Sequence, residues 1–391
     1  MTDGKKDILI ITGRYLPGYK DGGPVRTIKN LTDYLGEEYN FRILTCDRDH
    51  GDQIPYPNIV VNGWNRVGKA DVYYVPPGCF SAKIIIKLST EADLVYVTGC
   101  FSDYSIKTLI LNRFGQIKKP LIIAPMGLFM PNAMKRKPVK YNSFITVFKL
   151  LGMFQKVTWS VTSEIEESCV KRIISKHAVC FIARDLPRIV KENPVHKIKE
   201  PGTLRVFFIS RISPEKNLIQ SIDILKRCRA DISFTIYGPI HNLKYWELVQ
   251  KKMKELPPNV QSSYGGTVES EMVVETLEKE HVFLFTTIGE NYSHVIHEAL
   301  SAGCPCVISD QTPWQNLAEN YAGQVLALDD NYKFVQAIES YAKMTEKEFQ
   351  RASEAAHEYA KRFSRKSAET TGYRIMFNNI IIRGKQLNIE K

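Results

Sequence analysis

Val282-Phe283-Leu284-Phe285-Thr286-Thr287-Ile288-Gly289-Glu290-Asn291-Tyr292-Ser293-His294-Val295-Ile296-His297-Glu298-Ala299-Leu300 reads as one strand–turn–helix step. Val282–Phe285 is an apolar strand, residues 286–291 form a loop, and a helix follows. Glu290 falls at the turn and Glu298 inside the helix. Two carboxylates so spaced are able to face one crevice. Between them lie the free N–H groups of a helix start, which suit phosphate or sugar oxygens. Carboxylates only accept hydrogen bonds and take two at once, which suits sugar hydroxyls. The step predicts a site for a sugar attached to a phosphate.

The same step repeats along the chain. Strands are expected near residues 8–12, 41–45, 72–75, 94–97, 121–124, 160–162 and 179–182. After a polar, Pro/Gly-containing stretch the series restarts near 205–209, 233–237, 260–263, 282–285, 306–308 and 324–327. Helix-length segments separate them, the pattern of a parallel sheet covered by helices. The expected domains are 1–190, a linker 191–203, a second domain 204–362 and a helical tail 363–391. In doubly wound α/β domains ligands bind at the carboxyl ends of strands, so the loops there should hold the chemistry.

The 391 residues suit two domains, and 44% hydrophobic residues suffice for real cores. The polar start and strand-sized Ile8–Ile11 do not read as a signal peptide, and no stretch has the ~18 apolar residues of a spanning helix. Eight scattered cysteines without Cys-x-x-Cys suggest reduced, buried thiols in a cytoplasmic protein. Charge is uneven: residues 1–200 hold 30 Lys+Arg and 19 Asp+Glu, residues 201–391 hold 23 of each. Tyr104–Ser163 has ten basic residues and no acidic one, including Lys135-Arg136-Lys137-Pro138-Val139-Lys140 before the apolar 144–154. Such a patch suits an anionic membrane surface, and a buried helix beside a solvated basic face is the plainer reading. Nothing resembles a nucleic-acid-binding motif.

After the first strand, Gly22-Gly23 precedes a helix and lets backbone approach a ligand. In the second half, strand 206–209 runs into Ser210-Arg211-Ile212-Ser213-Pro214-Glu215-Lys216-Asn217. Arg211 and Lys216 are suited to neutralise a leaving diphosphate, Arg as a fork and Lys as a point charge. Surface charges flanking a turn would give the same letters. Asn217 is placed to begin the next helix.

This run, with the Glu290…Glu298 step and Ala299-Leu300-Ser301-Ala302-Gly303-Cys304-Pro305, resembles the retaining glycosyltransferases of family 4, of the bacterial surface-polysaccharide type. The resemblance implies the α/β GT-B fold: two Rossmann-like doubly wound domains facing across a cleft, with the tail crossing back to the first. It implies a metal-independent, retaining, hexosyltransferase-type enzyme that uses a nucleotide-diphosphate sugar and no cofactor. The implied acceptor is a glycan, lipid-linked, at the inner face of the plasma membrane. Arg211 and Lys216 would bind the diphosphate, Glu290 would adjoin the donor sugar, and Glu298 would hold the ribose. Asn291, Tyr292, Ser293 and His294 would offer contacts to sugar and phosphate, Gly22 and Gly23 would approach the diphosphate, and Gly265 and Thr267 would hold the base.

Family members often carry a basic or histidine residue in loops that here read Thr98–Asp103 and Ala124–Leu128, and neither loop has one. Asp103 there is expected to cap a helix. Asp47-Arg48-Asp49 imitates a metal-binding Asp-x-Asp but reads as a solvated loop, and His294/His297 do not follow a zinc order. A nucleotide-sugar epimerase or phosphorylase on the same fold, and a non-catalytic sugar-binding protein, are the competing readings.

Overall fold

A computed structural model describes residues 4–20, 22–135, 137–290 and 292–389. The chain divides into two compact units, Met1–Leu186 with Ala368–Lys391, and Pro187–Ser367. Each is a helix-covered parallel sheet, a Rossmann-like α/β domain.

The first unit holds β1 (Lys6–Ile11), β2 (Tyr39–Cys46), β3 (Trp64–Val67), β4 (Ala70–Val75), β5 (Leu94–Thr98), β6 (Leu121–Ala124), β7 (Val157–Val161) and β8 (Val179–Ile182). Their order across the sheet is β3-β4-β2-β1-β5-β6-β7-β8. All pairs are parallel except β3 with β4. Strand β3 is absent from the sequence reading because Trp64-Asn65-Arg66-Val67 is short, half polar and partly exposed, as edge strands are. The helix Gly23–Leu35 starts on Pro24 and buries Val25, Ile28, Leu31 and Leu35, an apolar stripe at helical spacing.

The end of the chain completes this unit. The helix Glu346–Glu369 leads into Gly372–Ile389, which buries Tyr373, Met376, Phe377, Ile380 and Ile381 among Tyr39, Phe41 and Tyr96. Phe377 meets Tyr39 edge-on at 5.5 Å, and Arg374 forks both oxygens of Glu38 at 2.7 Å. Gly372 is required by packing, since a Cβ there would strike the Ile182 carbonyl.

The second unit holds β9 (Thr203–Ile209), β10 (Asp231–Tyr237), β11 (Val260–Gly266), β12 (Val282–Phe285), β13 (Cys306–Ser309) and β14 (Gly323–Leu326). They form one parallel sheet in the order β11-β10-β9-β12-β13-β14. The chain lays β9, β10 and β11 outward in one direction, then returns to lay β12, β13 and β14 in the other. The reversal lies between β9 and β12, where the topology opens a crevice at the strand ends.

Residues 191–203, expected as a linker, are a strap packed onto the second unit. Lys197 and Lys199 on it are 1% and 3% exposed. The Lys197 ammonium donates to the carbonyls of Leu277, Glu278 and Glu280 at 3.4, 3.0 and 2.7 Å. It thereby caps the end of the helix Val273–Leu277, and its charge is tolerated because its protons are shared among acceptors. No helix of the described residues is long and apolar enough to cross a membrane.

Candidate donor site at the strand ends of the second unit

The loops leaving β9 and β12 meet at the topological reversal. Residues 210–217 leave β9 and are pinned on one side by Ile212 N–H to Pro239 O at 2.9 Å. Gly238, at φ 125°, allows this approach, because a Cβ would collide with the Ser210 carbonyl. On the other side, Ile288 N–H donates to Glu215 O at 3.2 Å, and the Thr287 hydroxyl donates to the same carbonyl at 3.2 Å. A 3-10 turn, Pro214–Lys216, then directs Lys216 inward, and Asn217 in the left-handed region opens the helix Leu218–Leu225, as expected for a helix start.

Lys216 and Glu290 form a direct ion pair, each side chain 11% exposed. The ammonium also lies 5.8 Å from the ring centre of Phe285, the last residue of β12. Glu290 Oε1 accepts from the Thr287 hydroxyl at 3.0 Å, and its backbone N–H donates to Gln311 O at 3.0 Å. The carboxylate is thus oriented from three sides. Arg211 is half-buried on the same loop as Lys216 and makes no hydrogen bond or ion pair among the described residues. It is an uncommitted cation at the end of β9.

The helix His294–Ser301 begins at the same loop. Its cap residue Ser293 sits at φ 65°, ψ 75°, a conformation an L-residue adopts at a cost, and its Oγ is buried without a hydrogen-bond partner. The chain before it is held by the Trp314 indole, which donates to Tyr292 O at 2.6 Å. The His294 ring packs 4.7 Å from that of Tyr292. Glu298 is 3% exposed on the helix. His297 faces away, its Nε2 2.9 Å from the Ser364 hydroxyl, and burial pushes its pKa down to about 4. Asn291 lies outside the described residues.

Residues 191–361 match the family model for glycosyl transferases group 1. The match lies wholly within the second unit. The match covers both the Arg211–Lys216 loop and the Glu290–Glu298 step. Comparison with curated proteins gives no match. Among solved structures, Anabaena HepE in complex with UDP and glucose is similar at TM-score 0.64 and 14% identity, over 93% of this chain and 99% of that one. WaaG, a glycosyltransferase involved in lipopolysaccharide biosynthesis, is similar at 0.60 and 14%, over 93% and 99%. Sucrose-phosphate synthase from Thermosynechococcus elongatus is similar at 0.62 and 13%, over 99% of both chains. At these identities the likeness shows the fold, which is GT-B.

The other expected residues lie in different settings. Gly265 and Thr267 are exposed at the end of β11. A Cβ on Gly265 would run into the Tyr237 ring, so packing alone explains that glycine. In the first unit, Gly22 has φ 64° and ψ −113°, open to glycine but hardly to other residues, and among the described residues nothing lies within 4 Å of a Cβ at Gly22 or Gly23.

Two expectations about the first unit need correction. Asp47 and Asp49 do not form a solvated loop, being 0% and 2% exposed. Asp47 pairs with Arg48 at 2.7 Å, and Asp49 accepts the N–H groups of Tyr19 and Lys20 at 2.9 and 3.3 Å. Asp49 thereby braces the loop that ends in Gly22. Asp103 is the first helical residue rather than the cap, which is Ser102, and it pairs with Lys107 one turn on.

Thr287 was missed by sequence reasoning, and so was Glu166. The latter is 1% exposed and accepts from Gly127 N–H at 2.6 Å and Thr162 N–H at 2.8 Å, joining the loops after β6 and β7. Its signal was Ser163-Glu164-Ile165-Glu166 reading as a helix start, with the Ser163 hydroxyl accepting from Glu166 N–H at 3.2 Å. Among the described residues no group of three His, Cys, Asp or Glu is set to hold a metal ion.

Proposed function

We propose that the protein transfers a sugar, with retention of anomeric configuration, from a nucleotide-diphosphate donor to a hydroxyl of a lipid-linked glycan in surface-polysaccharide synthesis. The observation that carries this reading is the Lys216–Glu290 pair at the reversal of a parallel sheet, with the uncommitted Arg211 on the same loop. UDP or a UDP-sugar is bound by two proteins of the same fold, which supports a nucleotide-sugar donor.

The chemistry follows from charge. Breaking the bond between the anomeric carbon and the phosphate oxygen leaves negative charge on the diphosphate and positive character on the ring. Arg211, Lys216 and the N–H groups opening the helix His294–Ser301 oppose the first, without a metal ion. Glu290, already oriented by Lys216 and Thr287, accepts sugar hydroxyls and eases the second. The acceptor oxygen bonds to the same face of the carbon, and its proton passes to the departing phosphate oxygen. Glu298 holds the ribose hydroxyls. The enzyme works at the cytoplasmic face of the plasma membrane, where a lipid-linked acceptor is within reach.

Lys216→Ala and Arg211→Ala are each expected to lower transfer by about 10²-fold or more, the scale of losing one fixed charge stabiliser. Wild-type melting should rise with the matching nucleotide in a screen of UDP, GDP, ADP and CMP. Activity should persist in EDTA. Near-normal turnover in both variants, or activity lost to EDTA and restored by manganese, contradicts the proposal.

A further inference from the structure

The first unit turns apolar side chains outward on a basic face. The helix Pro138–Leu150 is fixed from behind by rings: Phe101 meets Phe144 edge-on at 5.2 Å and stacks on Tyr141 at 4.5 Å, and Ile145 is buried. Its outward residues are Val139, Val147 and Leu150, at 79%, 50% and 82% exposure, and Leu151 follows at 53%. Arg113 Nε donates to Leu151 O at 3.1 Å, which sets the end of the helix Asp103–Arg113 beside this one. There Phe114 is 69% exposed.

Cations flank these side chains along the sequence. Lys135, Lys137, Lys140, Lys149 and Lys156 are exposed, and Arg136 lies outside the described residues. No acidic residue occurs from Tyr104 to Ser163. The next carboxylates along the chain are engaged: Glu164 with Arg184, Glu166 with backbone N–H groups, and Glu167 with Lys171. A rigid helix with exposed aliphatic tips and unopposed lysines is complementary to a surface that is negative outside and apolar beneath.

We infer that this face docks on an anionic membrane. The helix Pro138–Leu150 lies along the surface, with Val147, Leu150, Leu151 and Phe114 in the headgroup–acyl boundary and the lysines among lipid phosphates. The inference deepens the proposal of a lipid-linked acceptor by naming the surface that would bring the enzyme to it. Its test needs no turnover.

The full chain is floated with vesicles of phosphatidylcholine alone or mixed with phosphatidylglycerol. Recovery is expected with the mixed vesicles and is expected to fall as salt is raised. Phe114→Ser/Leu150→Ser and Lys137→Gln/Lys140→Gln should each reduce it by about tenfold or more, given the lost apolar burial and lost charge. Because all four side chains are exposed, melting should be unchanged. Equal recovery on both vesicle types overturns the inference, as does wild-type recovery of both double variants. So does a dimer that Phe114→Ser/Leu150→Ser dissolves with vesicle recovery unaffected. Nucleotide-induced melting shifts, measured alongside, separate the two readings. Flotation without any shift leaves the surface and removes the donor site, and a shift without flotation does the reverse.

Discussion

At the scale of single residues, buried polar groups decide most of what distinguishes this chain. The single proton of the Thr287 hydroxyl is shared between the Glu290 carboxylate at 3.0 Å and the Glu215 carbonyl at 3.2 Å, which ties the two loops of the candidate site. Thr287→Val keeps the shape and removes this shared bond. A hydrogen bond to a charged group contributes about 1.5–3 kcal/mol, so turnover is expected to fall at least about tenfold while the fold survives. A kinetic assay with unchanged turnover would deny Glu290 the need for orientation. Lys197 is the structural counterpart. Lys197→Met takes the ammonium from the carbonyls of Leu277, Glu278 and Glu280, of which Leu277 O keeps the Glu280 N–H at 2.9 Å. It should cost about 1–3 kcal/mol in urea unfolding. His281 and His297 add a pH dependence. In the neutral His281 ring, Nδ1 accepts from Arg205 N–H at 3.1 Å and Nε2–H donates to Ile198 O at 2.9 Å. Burial pushes His281 down to about 3 and His297 to about 4, from an ordinary 6.5. The unfolded chain therefore takes up these protons first as pH falls. Stability from this source is complete above pH 6.5 and is lost as pH drops toward 4, with a slope of up to roughly 2.7 kcal/mol per pH unit. A urea midpoint that is the same at pH 7 and pH 5 would contradict it.

At the scale of elements, sequence legibility follows burial. Strands β1, β2, β5, β6, β9, β12 and β13 are buried on both faces and stand out as apolar runs, such as Val282-Phe283-Leu284-Phe285. Strand β3 is half solvated and carries no such signal. In the candidate site, Lys216 and Glu290 were named from their places in the loops after β9 and β12, and the structure pairs them. Thr287 was not, since a threonine after a strand is ordinary, and only the 3.0 Å contact with Glu290 gives it a role. The left-handed Ser293 was also illegible, because serine is a common cap in extended backbone and nothing local demands φ 65°. Asp49 misled for the converse reason: a carboxylate in a polar run looks solvated until Tyr19 and Lys20, thirty residues earlier, present their N–H groups. The last helix shows how far apart the partners of an element can be. Tyr373 and Phe377 bury in the unit that begins at the other end of the chain, each contributing about 1.5–3 kcal/mol. Ending the chain at Thr371 should therefore destabilise the first unit and leave the second largely intact. Hydrogen exchange would show this as lost protection in β1 and β5 with β9 and β12 preserved, and uniform loss would oppose it.

At the scale of the molecule, the two units are built on separate cores. One combines residues 1–186 with the final helix, and the other is a single stretch, 187–367. Separate cores unfold with separate midpoints unless an interface couples them strongly. The residues proposed to hold the nucleoside diphosphate, Arg211, Lys216, Glu290 and Glu298, all belong to the second unit. A ligand that binds a native unit and not its unfolded form stabilises that unit by RT ln(1 + [L]/Kd), about 2.7 kcal/mol at a hundredfold excess over Kd. Scanning calorimetry should thus resolve two transitions, of which the matching nucleotide raises one. The histidine argument identifies the same transition, since His281 and His297 also lie in the second unit and lower its midpoint in acid. The transition that shifts with nucleotide should accordingly be the one that falls between pH 7 and pH 5. If nucleotide raises the other transition instead, the diphosphate is held mainly by the first unit, and the assignment of Arg211 and Lys216 as its principal cations fails.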